Sequence, residues 1–229
     1  MGVVLKVTLT EKFQESEDVI SFIFKPEESL EWKAGQFIYY KIPHQDPDNR
    51  GMIRHFTISS APHERNLRIT TKFVPEGGSS LKRALKDLKI GDTIDAFSLE
   101  GSFTIDNPEN KYVFIAGGIG ITPYRAILSD LAKKEGIGDI ILFYGNRDEN
   151  IVFKPELDQI AAENPGLKIY YIISPKRIDF NLLHKNVPGL FDRQCYISGP
   201  MQMIKAIEAS VIENGVSGDK IKTDYFSGY

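Results

Sequence analysis

The chain opens with short stretches in which apolar, β-branched and aromatic residues crowd together. Val3–Leu9, Ile20–Phe24, Gln36–Ile42, Ile53–Ser59, Leu67–Phe73 and Thr93–Phe97 each read as a strand. Pro26, Gly35, Pro43, Pro47, Gly51, Pro62 and Gly91 punctuate them. Strands so short and so closely spaced predict an antiparallel barrel or sandwich. One helical pattern interrupts the series: Leu81, Leu85 and Leu88 fall at i, i+4 and i+7, on one face.

Near Asn107-Pro108 the rhythm changes. Strands at Tyr112–Ala116, Ile140–Tyr144, Lys168–Ile173, Gln194–Ser198 and Lys220–Asp224 now alternate with helices at Tyr124–Lys133, Pro155–Ala162 and Met201–Glu213. That alternation predicts a parallel sheet covered by helices on both faces. The domain boundary therefore falls between residues 107 and 108. In parallel sheets ligands bind beyond the carboxyl ends of the strands. The turns after Ala116, Tyr144, Ile173 and Ser198 are the places to look for one.

Composition narrows the picture. The 229 residues are 41% hydrophobic and 26% charged, enough apolar material for two modest cores. A net charge of -3 gives no positive field to draw in nucleic acid, so local donors must meet any phosphate. One cysteine, Cys195, makes neither an internal disulfide nor the thiolate set of an iron–sulfur cluster or a structural zinc, and no metal is expected. Met1–Thr10 lacks a basic stretch followed by an apolar run, and no apolar run reaches membrane-spanning length. The expectation is a cytoplasmic protein without membrane insertion, a monomer or a weak dimer.

Five segments carry candidate chemistry. Arg54-His55-Phe56-Thr57 offers a forked phosphate donor and a flat apolar ring on one strand. Taken alone it reads more readily as an edge strand with a solvated Arg and a core Phe. Gly77-Gly78-Ser79-Ser80 precedes the Leu81 helix, where a serine cap and unpaired N–H groups make an anion site or an ordinary surface helix start. Phe114 to Pro123 runs from a buried strand through Gly117, Gly118 and Gly120 to a Thr122 cap and Pro123. Glycines there let the backbone approach a pyrophosphate, although the usual third glycine of the dinucleotide fingerprint is replaced by Pro123. Tyr196-Ile197-Ser198-Gly199-Pro200-Met201 repeats the order strand, turn, helix. The end of the chain, Thr223 to Tyr229, holds three aromatics that either pack on the core or cover a flat ring.

In this order and spacing the segments resemble the ferredoxin–NADP reductase superfamily, and within it the small bacterial flavin-binding oxidoreductases. The resemblance spans nearly the whole chain. It implies a six-stranded antiparallel β-barrel that binds FAD over residues 1–107. A Rossmann-like domain for NADPH or NADH over residues 108–229 would follow. The family motif Arg-x-Tyr/Phe-Ser/Thr corresponds to Arg54-His55-Phe56-Thr57. The resemblance puts Arg54 on the flavin pyrophosphate, Phe56 on the isoalloxazine ring and Thr57 near flavin N5; His55 gains no side-chain role. It adds Thr70, Thr71 and Lys72 to the flavin site, with Gly78, Ser79 and Ser80 under the pyrophosphate. Gly117, Gly118, Gly120 and Thr122 would hold the nicotinamide nucleotide, together with Asn146, Arg147, Gly199, Pro200 and Met201. Ser198 stands where many members have Cys and Asp224 where many have Glu, so both join Thr57 as catalytic candidates. Tyr229 would stack on the flavin.

The resemblance implies hydride transfer from NAD(P)H to FAD and electrons passed to a carrier such as a ferredoxin, flavodoxin or rubredoxin. A flavin or quinone reductase, an oxygenase reductase component and a non-catalytic flavin- or nucleotide-binding regulatory module are the rivals. Lys176 and Arg177, after the third strand of the second half, lean towards the 2′-phosphate of NADPH.

Overall fold

The computed structural model describes residues 4–74, 78–134 and 136–225. It divides into two compact units, Met1–Thr104 and Ile105–Tyr229. Val3, at which the first predicted strand begins, lies outside the described residues.

The first unit contains β1 (Leu5–Ser16), β2 (Val19–Pro26), β3 (Phe37–Lys41), β4 (Ile53–Thr57), β5 (Leu67–Lys72), α1 (Ser80–Asp87) and β6 (Thr93–Glu100). The strands form one six-stranded sheet in the order β4-β3-β6-β1-β2-β5, antiparallel throughout. The chain leaving β4 binds back to the far edge, Ser59 N–H donating to the Arg68 carbonyl of β5 at 2.9 Å. The sheet is thus curled upon itself, as a barrel requires. Alternate residues fill its inside: Phe22, Phe24, Tyr40, Leu67 and Ile69 are fully buried. Helix α1 contributes Leu81 and Leu85 to the same core, and Leu88 packs at its margin. The expected leucine stripe is present. Strand β1 is the surprise. It runs to Ser16, seven residues beyond the predicted end, with bulges after Leu9 and Gln14. Its second half is largely polar and exposed, so no apolar alternation announced it.

The second unit contains β7 (Tyr112–Gly117), α2 (Thr122–Lys134), β8 (Ile140–Asn146), α3 (Lys154–Glu163), β9 (Leu167–Ile173), α4 (Phe180–Asn186), β10 (Gln194–Gly199), α5 (Met201–Glu213) and β11 (Ile221–Tyr225). The five strands are parallel, in the order β11-β10-β7-β8-β9. The chain winds from β7 outward to β9, then returns to build β10 and β11 on the other side. The direction reverses between β7 and β10, which makes their carboxyl ends a topological switch point. All six residues of β7 are buried, as a central parallel strand demands. Helix α4 was not predicted from sequence. It has only seven residues, capped by Asp179, whose side chain accepts from Leu182 N–H at 2.8 Å. Among the described residues no helix is long and apolar enough to cross a membrane.

Candidate functional site

The first unit gathers a helix start, an acidic turn and two arginines at one corner. Ser79 caps α1, its Oγ accepting from Lys82 N–H at 3.1 Å. Ser80, the first helical residue, is met by the loop before β4. Its N–H donates to Asp48 Oδ2 at 2.8 Å and its Oγ accepts from Asp48 N–H at 2.9 Å. Arg50 Nη2 donates to the same carboxylate at 2.9 Å, and Arg54 Nη2 stands 3.8 Å from it. Arg54 Nη1 is tied to the Arg50 and Ile53 carbonyls, whereas its Nη2 is buried without a hydrogen bond. Lys82 reaches the Lys72 carbonyl at 2.9 Å, and its ammonium is held down to about 8 by burial and then by Arg50. Ser80 and Arg54, which the resemblance puts at one site, are linked here through Asp48. Gly78 adds its carbonyl, which accepts from Arg83 Nη1 at 2.5 Å. Gly77 lies outside the described residues. Asp48, Arg50 and Lys82 escaped the sequence reading. The run Asp46 to Gly51 carries the composition of an ordinary turn and gave no signal of its own.

Strand β4 alternates as a strand must. Phe56 faces inward with Arg54, half-buried at the edge of the core and 6.1 Å from the Tyr40 ring. His55 faces the other way, against Phe37 and Tyr39 at 4.8 and 5.4 Å between ring centroids. Its imidazole is held below its usual range mainly by burial, against the pull of Glu100. This gives His55 a packing role on the face away from Arg54 and Phe56. Thr57 ends the strand, buried.

The three β5 candidates part company for the same reason. Thr71 lies on the core face with Leu67 and Ile69. Thr70 points the opposite way, its Oγ1 bonded to Ser21 Oγ at 2.7 Å and Ser59 Oγ at 2.9 Å. Arg68 joins this network through Ser21 at 3.1 Å and pairs with the nearly buried Glu15, which also accepts from Ser21. Hydroxyls and an ion pair thus fasten the corner where β4 hands over to β5. Lys72 pairs with Asp18 at 2.5 Å.

In the second unit the glycines sit at the switch point. Gly117 ends β7, and residues Gly118–Ile121 form a single 3-10 turn that runs directly into α2. Thr122 is therefore not an extended N-cap. It is already helical, and its hydroxyl donates back to the Ile119 carbonyl at 3.1 Å. A Cβ on Gly117 would meet the Met203 side chain at 2.5 Å, whereas at Gly120 and Gly199 backbone passes backbone. A Cβ on Gly120 would lie 2.3 Å from the Ser198 carbonyl oxygen, and one on Gly199 would lie 3.1 Å from Gly117 N. Gly118 differs: its φ is +52° and a Cβ there would meet nothing within 4 Å. Its backbone faces open space, the feature a pyrophosphate-binding turn needs. Tyr124 locks the arrangement from inside α2. Its hydroxyl lies 3.1 Å from the Ile115 carbonyl and 2.7 Å from that of Tyr196, on the two strands that flank the switch.

The other candidates ring the same carboxyl ends. Asn146 closes β8 with its Nδ2 buried and without a hydrogen bond, and Arg147 beside it is exposed. Pro200 caps α5, and Met201 is exposed at its first turn. Ser198 is fully buried. Its Oγ donates to Asp224 Oδ2 at 3.4 Å, the two residues being register neighbours on β10 and β11. Burial pushes the Asp224 carboxyl up to about 6, and the Ser198 hydroxyl only partly offsets it. Tyr229 lies outside the described residues. Among the described residues no cluster of side chains is suited to a metal ion.

The corner at Arg54 and Ser80 has the chemistry to meet a pyrophosphate, and so does the turn at Gly118. The oxidoreductase FAD-binding domain family matches residues 6–105, and the oxidoreductase NAD-binding domain family matches residues 114–209. The chain belongs to the ferredoxin–NADP reductase superfamily. It is 28% identical to a flavohemoprotein of Burkholderia sp. (strain TH2), over 94% of its own length and 57% of the relative's. It is also 28% identical to the ferredoxin reductase component of a 3-ketosteroid-9-alpha-monooxygenase of Mycolicibacterium smegmatis, over 97% of this chain and 65% of that one. The chain is thus shorter than these curated relatives and matches only part of each. Among solved structures, ferredoxin–NADP+ reductase of Plasmodium falciparum superposes with a TM-score of 0.82 at 22% identity, covering 97% of this chain and 96% of the other.

Proposed function

We propose that the chain is an NAD(P)H-dependent FAD oxidoreductase that delivers electrons to a separate acceptor protein. The observation that carries this reading is the corner around Arg54. A buried guanidinium nitrogen without a hydrogen bond stands beside a helix N-terminus, inside the domain that family comparison assigns to FAD. Bound FAD would supply the redox chemistry, accepting a hydride and releasing electrons singly. The chain's own residues do the rest. Arg54 and the first turn of α1 would hold the pyrophosphate, and Phe56 offers a half-buried ring for the isoalloxazine to lie on. Thr57, buried at the end of β4, would present its hydroxyl to the hydride-accepting edge. Gly118 to Thr122 would seat the nicotinamide nucleotide, and the buried Asn146 amide fits a further polar contact.

Asp224 Oδ2 would hold or release a proton near neutrality, because its carboxyl titrates near 6. Lys176 and Arg177 follow β9 directly and are exposed, which favours the 2′-phosphate of NADPH. For the acceptor, relatives named as monooxygenase reductase components and ferredoxin reductases support a small electron carrier, such as a ferredoxin, or an oxygenase.

The deciding experiment is anaerobic addition of NADPH and NADH, in parallel, to the flavin-loaded protein. Bleaching of the flavin absorbance with either nucleotide is expected, faster with NADPH. No bleaching with either would leave a non-catalytic flavin-binding module. Arg54→Ala should lose flavin on gel filtration; if it keeps its flavin as wild type does, the pyrophosphate assignment is wrong.

A further inference from the structure

The N-terminus of α1 already holds an anion that belongs to the chain. The Asp48 carboxylate takes the Ser80 N–H at 2.8 Å, the Arg50 guanidinium at 2.9 Å and the Arg50 N–H at 2.9 Å. Arg54 Nη2 stands 3.8 Å away. A helix-start N–H and two forked cations are the partners that a phosphate oxygen seeks. Asp48 has collected all of them. The bonds hold its carboxyl well below the usual carboxylate range, the Ser80 N–H contributing most. The cluster is nevertheless not neutral. Arg50 and Arg54 flank one carboxylate, so one positive charge is left over for a second anion.

Two anionic oxygens cannot share the Ser80 N–H at hydrogen-bonding distance, because like charges in contact repel strongly. Asp48 sits at the start of a closed turn, its own N–H held by Ser80 Oγ at 2.9 Å. The Gly51 N–H closes the turn onto the Asp48 carbonyl at 2.8 Å, and Asp46 and Gly51 flank it with φ of +50° and +70°. Resting on the FAD reading above, we propose that Asp48 is an internal competitor for the FAD pyrophosphate at the start of α1. Cofactor entry displaces its carboxylate from Ser80. Its return helps to expel the cofactor, so FAD retention in this chain is set against an intramolecular anion.

The test uses the full chain stripped of flavin and titrated with FAD, and in parallel with riboflavin, which has no phosphate. Asp48→Asn keeps an acceptor for Ser80 and removes the charge; Asp48→Ser is the second variant, should the amide perturb folding. Both should bind FAD roughly tenfold more tightly and release it more slowly. Their riboflavin affinity should match wild type. Unchanged or weaker FAD binding overturns the proposal and makes Asp48 a brace for Arg54. Parallel tightening of FAD and riboflavin overturns it too, because a general loosening of the loop is then the cause. If wild type binds no FAD at all, the functional reading falls and this inference with it.

Discussion

Asp224→Asn should stabilise the protein, and should do so only where the carboxylate is charged. Asp224 titrates near 6 in the folded chain against an ordinary 3.8, because burial outweighs the Ser198 hydrogen bond. Below pH 4 folded and unfolded chains both carry the proton, and the residue costs nothing. Between 4 and 6 the unfolded chain releases its proton first, so stability falls as pH rises. Above 6 both are ionised and the penalty is complete. At about 1.4 kcal/mol for each pH unit of difference, the ceiling is about 3 kcal/mol. Structural relaxation should leave roughly 1–3 kcal/mol. Asparagine keeps an oxygen for the Ser198 hydroxyl and is never charged. Its NH2 group adds a donor whose cost does not vary with pH. Urea unfolding of wild type and variant at pH 4, 5, 6 and 7.5, followed on the transition of the α/β unit, separates these effects. The gain of the variant over wild type should grow from pH 4 to pH 7.5 by about 1–3 kcal/mol. A gain that is the same at both ends of the range, or that shrinks as pH rises, would refute the idea of an unfavourably buried carboxylate.

Other perturbations follow from the geometry. Gly120→Ala puts a Cβ 2.3 Å from the Ser198 carbonyl oxygen, against the Ser198–Gly199 backbone; thermal melts should show a loss of roughly 2–4 kcal/mol and weaker nucleotide binding. Arg68→Met leaves Glu15 almost buried and without its cation, and should cost roughly 3 kcal/mol in chemical denaturation. Exchanging Lys176 and Arg177 together for alanine should raise the KM for NADPH roughly tenfold or more and leave that for NADH within about twofold, as read from steady-state dye reduction. Equal effects on both nucleotides would detach these cations from a 2′-phosphate.

Fold was legible where side-chain pattern decides burial. Most of the six strands of the first unit and the five of the second announced themselves because they bury an apolar face; β4 and β11, only partly buried, were read from their β-branched and aromatic residues. What failed to show was backbone structure not enforced by burial. The second half of β1 pairs with β2 through a run of exposed polar residues, so its hydrogen bonds, not its side chains, define it. Helix α4 is held by an Asp179 cap and few buried residues, too short for a periodic signal. At Thr122 the residue types were read correctly and the conformation was not. Thr-Pro fits an N-cap followed by a first helical residue, but the preceding glycines had already wound into a turn. Local propensity gave way to continuity with the Gly118–Ile121 segment.

The same contrast explains which parts of the site could be read. Glycines that permit close approach leave a mark: Gly120 against the Ser198 carbonyl is forced by contact, and Gly199 lies tightly against Gly117. A charge cluster leaves none. Asp48 and Arg50 sit in the loop just before Arg54, and each alone has the character of a solvated surface residue. Only the packing of α1 against that loop brings the Ser80 N–H onto the Asp48 carboxylate. Electrostatics at this corner is therefore a tertiary property. On the proposal that Asp48 competes with the FAD pyrophosphate, residues outside the Arg54–Thr57 motif tune flavin affinity, and chains sharing the motif should differ in FAD retention according to what their loop carries at the place of Asp48.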